Sequence, residues 1–318
     1  SGHGYVDEEK ERRVEYFFRR KMYEDPHDSK LGDDAKMMFS YEYDRYSLDL
    51  GDRNYSLSRV TRSGRYGRGV GARVARGDFS FSSYFLENTP NMADIEPEIG
   101  ASVTYNGSQY WEVGIQAFDT KKQMTPSVSG GTGYSLRYEL YDKKKRNSLY
   151  TEYALGTEHS RDKYHSAYGI YYSGYPYKDI RCSLQRVYAS PWYVGTLRDY
   201  SFLFGSMSIP LYKKGALTAS YNSSHKNIHK NTLRGSSNKR SLYNARATYA
   251  LKKGLSSSLS YRRQEQKDLL SLDTFDNTTD WFQLGANFSS LKCSLQCAME
   301  RGIYTNKTTG RDRRNLQR

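Results

Sequence analysis

The sequence predicts an all-β fold, an antiparallel transmembrane β-barrel of about sixteen strands, and three features predict it. A two-residue alternation recurs from segment to segment. Tyr134, Leu136, Tyr138 and Leu140 alternate with Ser135, Arg137 and Glu139, and Leu255, Ser257, Leu259 and Tyr261 alternate with Ser256, Ser258, Ser260 and Arg262. Side chains of a strand point to opposite faces in turn, so each such segment has one greasy face and one wet face. The connections between segments fall into two classes, tight turns and long polar loops, in strict rotation. The 318 residues are only 36% hydrophobic, with a mean hydropathy of −0.87. A soluble domain of this length needs a larger apolar fraction, whereas a barrel has a polar lumen and needs an apolar residue only at every second position.

Three regions follow in order. Residues 1–36 read as a charged N-terminal helix and linker, because Val14, Phe17, Phe18 and Met22 sit at near-helical spacing and Asp25-Pro26 ends the pattern. Residues 37–304 read as the barrel. Its first strand covers about 39–50, with a bulge where the apolar phase slips between Tyr43 and Tyr46, and a second covers about 54–61. Seven hairpins complete it. Val70, Ala72 and Val74 pair with Phe79, Phe81 and Phe85 across Arg76-Gly77-Asp78. Ile99 to Tyr105 pairs with Trp111 to Ala117 across Asn106-Gly107, a strong short hairpin signal. The Tyr134 strand pairs with Leu149 to Leu155 across a Lys-rich turn, and Tyr164 to Tyr172 with Ile180, Cys182 and Leu184. Phe202 and Phe204 pair with Leu217, Ala219 and Tyr221 across Lys213-Lys214-Gly215. Tyr243 to Leu251 pairs with the Leu255 strand across Lys252-Lys253-Gly254, and Phe282 to Phe288 with Cys293 to Met299. Residues 305–318 read as a basic C-terminal tail. No run approaches the roughly 20 apolar residues of a transmembrane helix.

Over about 38–304 the chain resembles bacterial outer-membrane β-barrel proteins as a class. The resemblance lies in pattern, with a further likeness between Leu48–Val74, including Arg68-Gly69-Val70-Gly71, and the opening strands of assembly and usher-type barrels. It implies residence in the bacterial outer membrane and contact with its lipid and lipopolysaccharide. Two features depart from the class. The predicted strand count puts both termini on the long-loop side, and the chain ends Asn315-Leu316-Gln317-Arg318 without a terminal aromatic. For the termini, either a strand is missed or split, or this is a piece of a longer barrel, or the loop asymmetry is inverted; the C-terminus fits a truncated or internal segment, with any leader removed or outside it.

The sequence offers little chemistry. No hydrolase elbow, phosphate loop or His-Glu-x-x-His occurs, so no catalytic residue, metal ligand or cofactor is assigned. His159 and His165 lie near Ser160, Asp162 and Ser166, but adjacent strand residues face opposite ways and form no local dyad. His225 and His229 sit in a loop among lysines, which disfavours a cation. Cys293 and Cys297, four apart on one strand, are about 13 Å from one another, too far for a disulfide. With Cys182 they read as small apolar outer-face residues. The net charge of +14 is scattered over turns and strand faces, without the folds or interleaved aromatics of a nucleic-acid binder.

The informative positions are the charges on the polar phase. Arg73, Glu112, Arg137, Glu139, Glu152, Arg181, Arg246, Arg262 and Glu300 should line the lumen. They either knit it together as ion pairs or make a basic pore favouring anions. Loop and turn lysines should lie near anionic lipid head groups, and Arg186, in the apolar phase, should snorkel to an interface. The leading expectation is a pore passing solutes. The alternatives are a barrel that translocates or anchors a periplasmic or secreted protein, a soluble Tyr-rich scaffold or adhesin, and, last, a barrel hydrolase.

Overall fold

The computed structural model describes residues 2–7, 9, 11–20, 35–61, 63–87, 97–121, 130–160, 162–212, 214–232, 235–271, 275–289, 294–308 and 312–317. Among them are nineteen strands assigned to one sheet, and no α-helix. The chain forms two compact units. The first comprises Ser1–Leu140, Thr151–Tyr168 and Trp192–Arg198, and the second Tyr141–Tyr150, Gly169–Pro191 and Asp199–Arg318.

The first unit is built on β1 (Gly2–Tyr5), β2 (Arg12–Arg20), β3 (Ala35–Tyr43), β4 (Tyr46–Tyr55), β5 (Arg65–Arg76), β6 (Phe79–Glu87), β7 (Glu98–Ser108), β8 (Trp111–Thr120), β9 (Gly131–Tyr141) and β10 (Ser148–Glu158). From β1 to β9 each strand pairs antiparallel with the next. Register sorts the side chains by face. Tyr46, Val74, Phe81, Val103, Ile115 and Leu136 lie opposite one another in one row, and Ser47, Arg73, Ser82, Ser102, Gln116 and Ser135 form the next row on the other face. The first row is open to its surroundings, with Ile115 63% and Leu136 53% exposed.

The second unit continues with β11 (Tyr164–Tyr177), which starts in the first unit, and then β12 (Ile180–Ala189), β13 (Tyr200–Leu211), β14 (Gly215–Lys226), β15 (Asn238–Lys252), β16 (Leu255–Asp268), β17 (Asp276–Ser289), β18 (Ser294–Asn306) and β19 (Asp312–Gln317). Strands β12 to β19 again pair in chain order. Its apolar row runs Ile209, Leu217, Ala247, Leu259, Leu284, Met299, and Met299 is 69% exposed. Cys182 and Cys297 fall on this face, and Arg186 lies opposite Leu203 there. Cys293 lies outside the described residues.

All seven predicted hairpins form. Their turns use residues that accept a left-handed backbone, as at Gly77 (φ 58°) and Gly254 (φ 79°). The turn predicted at Asn106-Gly107 forms three residues later, at Gln109-Tyr110, with a register shift before it. The Trp111 indole covers Gly107, where any side chain would collide with it.

Five expectations are corrected. The N-terminal helix is instead the hairpin β1–β2. Val14, Tyr16 and Phe18 also fit a two-residue period, and pairing with β3 decides between the two; Met22 lies outside the described residues. The strand at 39–50 is two strands, β3 and β4, joined at Asp44-Arg45, where Asp44 adopts φ 46°; the phase slip was a turn, not a bulge. After Tyr55 the chain leaves the sheet, so 54–61 is not a strand. The tail at 305–318 contains the end of β18 and β19, which pair as Asn306↔Asp312. These changes raise the strand count from about sixteen to nineteen. Finally, the phase of β13 is reversed: Ile209, Met207 and Gly205 stand opposite Leu217, Ala219 and Tyr221, so Phe202 and Phe204 belong to the polar face.

Candidate functional site

The polar face of the first unit carries the most developed site. Once past Tyr55 the chain crosses back over this face as a strap, residues 56–61. Leu57, Ser58, Val60 and Thr61 are all buried. Their seat is Glu152 on β10, itself 2% exposed. Its carboxylate accepts hydrogen bonds from Ser58 Oγ (2.5 Å), Val60 N (3.1 Å), Thr61 N (3.1 Å) and Thr61 Oγ1. An ionised carboxylate can remain buried when its lone pairs are met by several donors. A second segment, residues 192–198, braces the strap. Thr196 N donates to Thr61 O at 3.0 Å and Thr196 Oγ1 accepts from Ser63 N at 3.1 Å. Arg198 anchors the brace to Glu158 at 2.6 Å.

Apolar packing holds the strap beside these polar contacts. Tyr55, Leu57, Tyr84, Leu86, Phe118 and Val194 form a buried cluster, and each fully covered large side chain contributes about 1.5–3 kcal/mol. The sheet makes room with glycines. At Gly100 a Cβ would collide with Leu57 and Tyr84, at Gly133 with Phe118, and at Gly156 with Val194. Sequence reasoning missed the strap. Its signal was present in the three consecutive apolar residues Tyr84-Phe85-Leu86, which break the alternation, and in glycines recurring on the polar phase.

The strap borders a cavity of about 420 Å³, which Ser56 and Leu57 help to line. Tyr55, Leu57 and Tyr84 form one wall, and the rest is polar: Ser47, Arg73, Ser82 and Ser102 from one row, with Asp49, Thr104, Asn106, Glu112 and Arg137. Most charges are paired. Asp49 meets Arg53 and accepts from Ser40 Oγ at 2.7 Å. Arg137 lies over Gly114, 3.2 Å from Glu112, and donates to Thr104 Oγ1 at 2.8 Å. Arg73 differs: its contact among the described residues is a single 3.1 Å hydrogen bond from Nε to Ser80 Oγ.

The structure thus brings Arg73, Glu112 and Arg137 together. Glu139 stands across from Glu112 in the register. Glu152 is not a lining residue but the anchor of the strap. The remaining candidates belong to the second unit. Arg181, Ser208, Thr218, Arg246, Ser260, Gln283 and Glu300 lie opposite one another in one polar row. Arg262 is 3.8 Å from Glu300 and 5.7 Å from the centre of the Trp281 ring. Arg246 reaches Ser258 Oγ at 3.4 Å. No buried apolar cluster covers this row among the described residues.

The histidines have separate engagements. His159 is 3.3 Å from Asp119. His225 Nε2 is 3.0 Å from Ser237 Oγ, and His229 Nδ1 is 3.1 Å from Asp199. No cluster of three candidate metal ligands occurs among the described residues.

No protein-family model and no curated relative matches the sequence. Solved structures do. Pseudomonas aeruginosa OpdK, determined with vanillate, is 10% identical, with 96% of this chain and 94% of that chain covered and a TM-score of 0.41. Pseudomonas aeruginosa OccK5 (OpdH) is 12% identical, at 99% and 91% coverage and a TM-score of 0.39. Wzi of Escherichia coli, an outer-membrane protein involved in group 1 capsule assembly and a carbohydrate-binding β-barrel, is 9% identical, at 96% and 82% coverage and a TM-score of 0.39.

Proposed function

We propose that the chain is a pore-forming β-barrel of the bacterial outer membrane. In this reading the sheet closes around a water-filled lumen and passes small polar solutes, anions ahead of cations. One observation carries it: the two faces of the sheet are sorted. Rows such as Val103, Ile115 and Leu136 are apolar and exposed, while the adjoining rows are serine, arginine and carboxylate. Exposed apolar rows of this length are unsustainable in water and natural in hydrocarbon. Phe79, Tyr105, Trp111 and Tyr138 form a contiguous aromatic group near the tight turns, with ring centroids 4.9–6.2 Å apart, as expected at a membrane interface.

The preference for anions rests on charge accounting in the strapped cavity. Asp49 and Glu112 are each matched by an arginine, which leaves Arg73 as the uncompensated charge among its lining residues. Reconstitution into planar bilayers tests the proposal. The expected result is stepwise conductance with a reversal potential showing anion preference. Protein that is heat-modifiable and inserted but passes no current would overturn the pore, and a cation preference would overturn the role of Arg73. A monodisperse, detergent-free monomer would overturn the membrane reading and favour the soluble scaffold.

A further inference from the structure

Cations and aromatic side chains converge at the tight-turn end of the second unit. The turn after β9 carries Lys143, Lys144, Lys145 and Arg146. Lys178 follows β11, Lys214 precedes β14, and Lys252 and Lys253 close β15. All are exposed. Two acids share these turns, Asp142 and Asp179. Asp142 is occupied inside its own turn, where Arg146 N, Asn147 N and Asn147 Nδ2 donate to it at 2.6, 3.2 and 2.7 Å. Beside the cations stand exposed apolar rings and chains. Tyr212 is 99% exposed, and Tyr177, Tyr249 and Leu251 are exposed too. Lys178 Nζ lies 5.1 Å from the Tyr177 ring centre, and the Arg146 guanidinium 4.5 Å from that of Tyr175. In the first unit the β3–β4 and β5–β6 turns are balanced, Asp44 beside Arg45 and Arg76 beside Asp78, and the β1–β2 connection is acidic, with Asp7, Glu9 and Glu11.

We propose that this turn rim of the second unit is a docking surface for anionic phospholipid head groups in the membrane leaflet that borders the tight turns. The proposal rests on the exposed apolar face being lipid-facing and adds which head group one edge of it selects. Tyrosine suits the level where hydrocarbon gives way to water, and lysine extends from that level to reach phosphate. The rim is continuous with the apolar face, since Tyr249 stands opposite Gly215 and Leu255 opposite Phe288 on it. A zwitterionic head group is met equally well by balanced turns like those of the first unit, so the excess of cation fits a head group of net negative charge. An acidic protein would match the lysines but leave Tyr212, Tyr249 and Leu251 without a partner.

The full chain, refolded from denaturant into vesicles, tests this. Insertion is read by heat-modifiable migration and Trp fluorescence, in phosphatidylcholine alone and in phosphatidylcholine with phosphatidylglycerol, at low and high salt. The expected result is insertion into both, tighter into the anionic vesicles by roughly tenfold or more, with the difference lost in high salt. The variant Lys178→Gln/Lys214→Gln/Lys252→Gln/Lys253→Gln should insert into phosphatidylcholine as before and lose most of the anionic preference. Arg45→Gln/Arg76→Gln in the first unit should keep it. Equal insertion of the native chain into both vesicles overturns the proposal while leaving the membrane reading intact, and so does a lysine variant that keeps the full preference. Lysine-dependent binding of polyglutamate by the detergent-solubilised chain, without any lipid preference, overturns it in favour of an acidic protein partner. Failure to insert into either vesicle sinks the membrane reading itself, and this proposal with it.

Discussion

The two units present the same alternating ladder and finish its polar face in opposite ways. The first covers that face with a strap, six apolar side chains and the buried carboxylate of Glu152, and gives up side chains at Gly100, Gly133 and Gly156 to make room. The second leaves its face as an open row from Arg181 to Glu300, with serines and glutamine between the charges and nothing apolar over it among the described residues. Their turns differ in the same spirit, balanced or acidic in the first and cationic in the second. A two-faced sheet needs only alternation. What is placed on its polar side is free to vary, so a covered site and surface charge can be set in one region without disturbing the ladder in another.

The largest test of that contrast is Glu152→Ala against Glu300→Ala. Removing Glu152 strands the buried donors of Ser58, Val60 and Thr61 and should lower unfolding free energy by about 3 kcal/mol. Glu300 is partly solvated and 3.8 Å from Arg262, and its loss should cost under about 1 kcal/mol. Denaturant titrations of both variants decide it; equal losses would mean that the carboxylate does not seat the strap.

Glycine substitution sharpens the comparison next. Gly133→Val forces the new side chain into Phe118 and should destabilise by about 1–3 kcal/mol. Gly205→Ala in the second unit meets nothing within 4 Å and should stay within about 0.5 kcal/mol of the native chain. Selectivity comes third. Under the proposed pore, Arg73→Gln should abolish most of the anion preference in reversal-potential measurements, and Arg246→Gln, on the uncovered row, should shift it less, because Arg73 is the unmatched charge of the cavity.

The smallest effect is a pH effect at the Asp142 turn. Partial loss of water raises its carboxyl, but the hydrogen bonds from Asn147 and Arg146 and the Arg146 charge outweigh that and hold it below the ordinary value of 3.8. A carboxyl lowered by folding adds stability above its unfolded value and loses it as pH falls through its folded value. Asp142→Asn should therefore be less stable than the native chain at neutral pH and converge with it in strong acid. A gap that persists below that range would assign the turn's stability to hydrogen bonds that outlast protonation.

Much of the ladder was legible in the residues. The seven hairpins, the exposed apolar face of Ile115, Leu136 and Leu259, and the polar face of Arg73, Arg137 and Arg246 all follow from a period of two. The errors came where two periods fit one stretch. Val14, Phe17 and Phe18 satisfy a helix as well as a strand, and Tyr43–Tyr46 satisfies a bulge as well as a turn. The reversed phase of β13 has another cause: Phe202 and Phe204 are apolar residues on a wet face, and one-dimensional alternation reads hydrophobicity as direction. The candidate site was legible only in part. Arg73, Glu112 and Arg137 were found as polar-phase charges, but their meeting in one cavity depends on the register of β5, β7, β8 and β9.

The sequence by itself determined that this chain alternates greasy and wet positions along many strands, because a strand's geometry turns a period of two into two faces. Tertiary structure alone decided that residues 56–61 fold back onto the wet face and that Glu152, ninety residues on, receives them. A buried carboxylate and its donors are bound by proximity in space, and no local pattern along the chain encodes which distant segment will supply them.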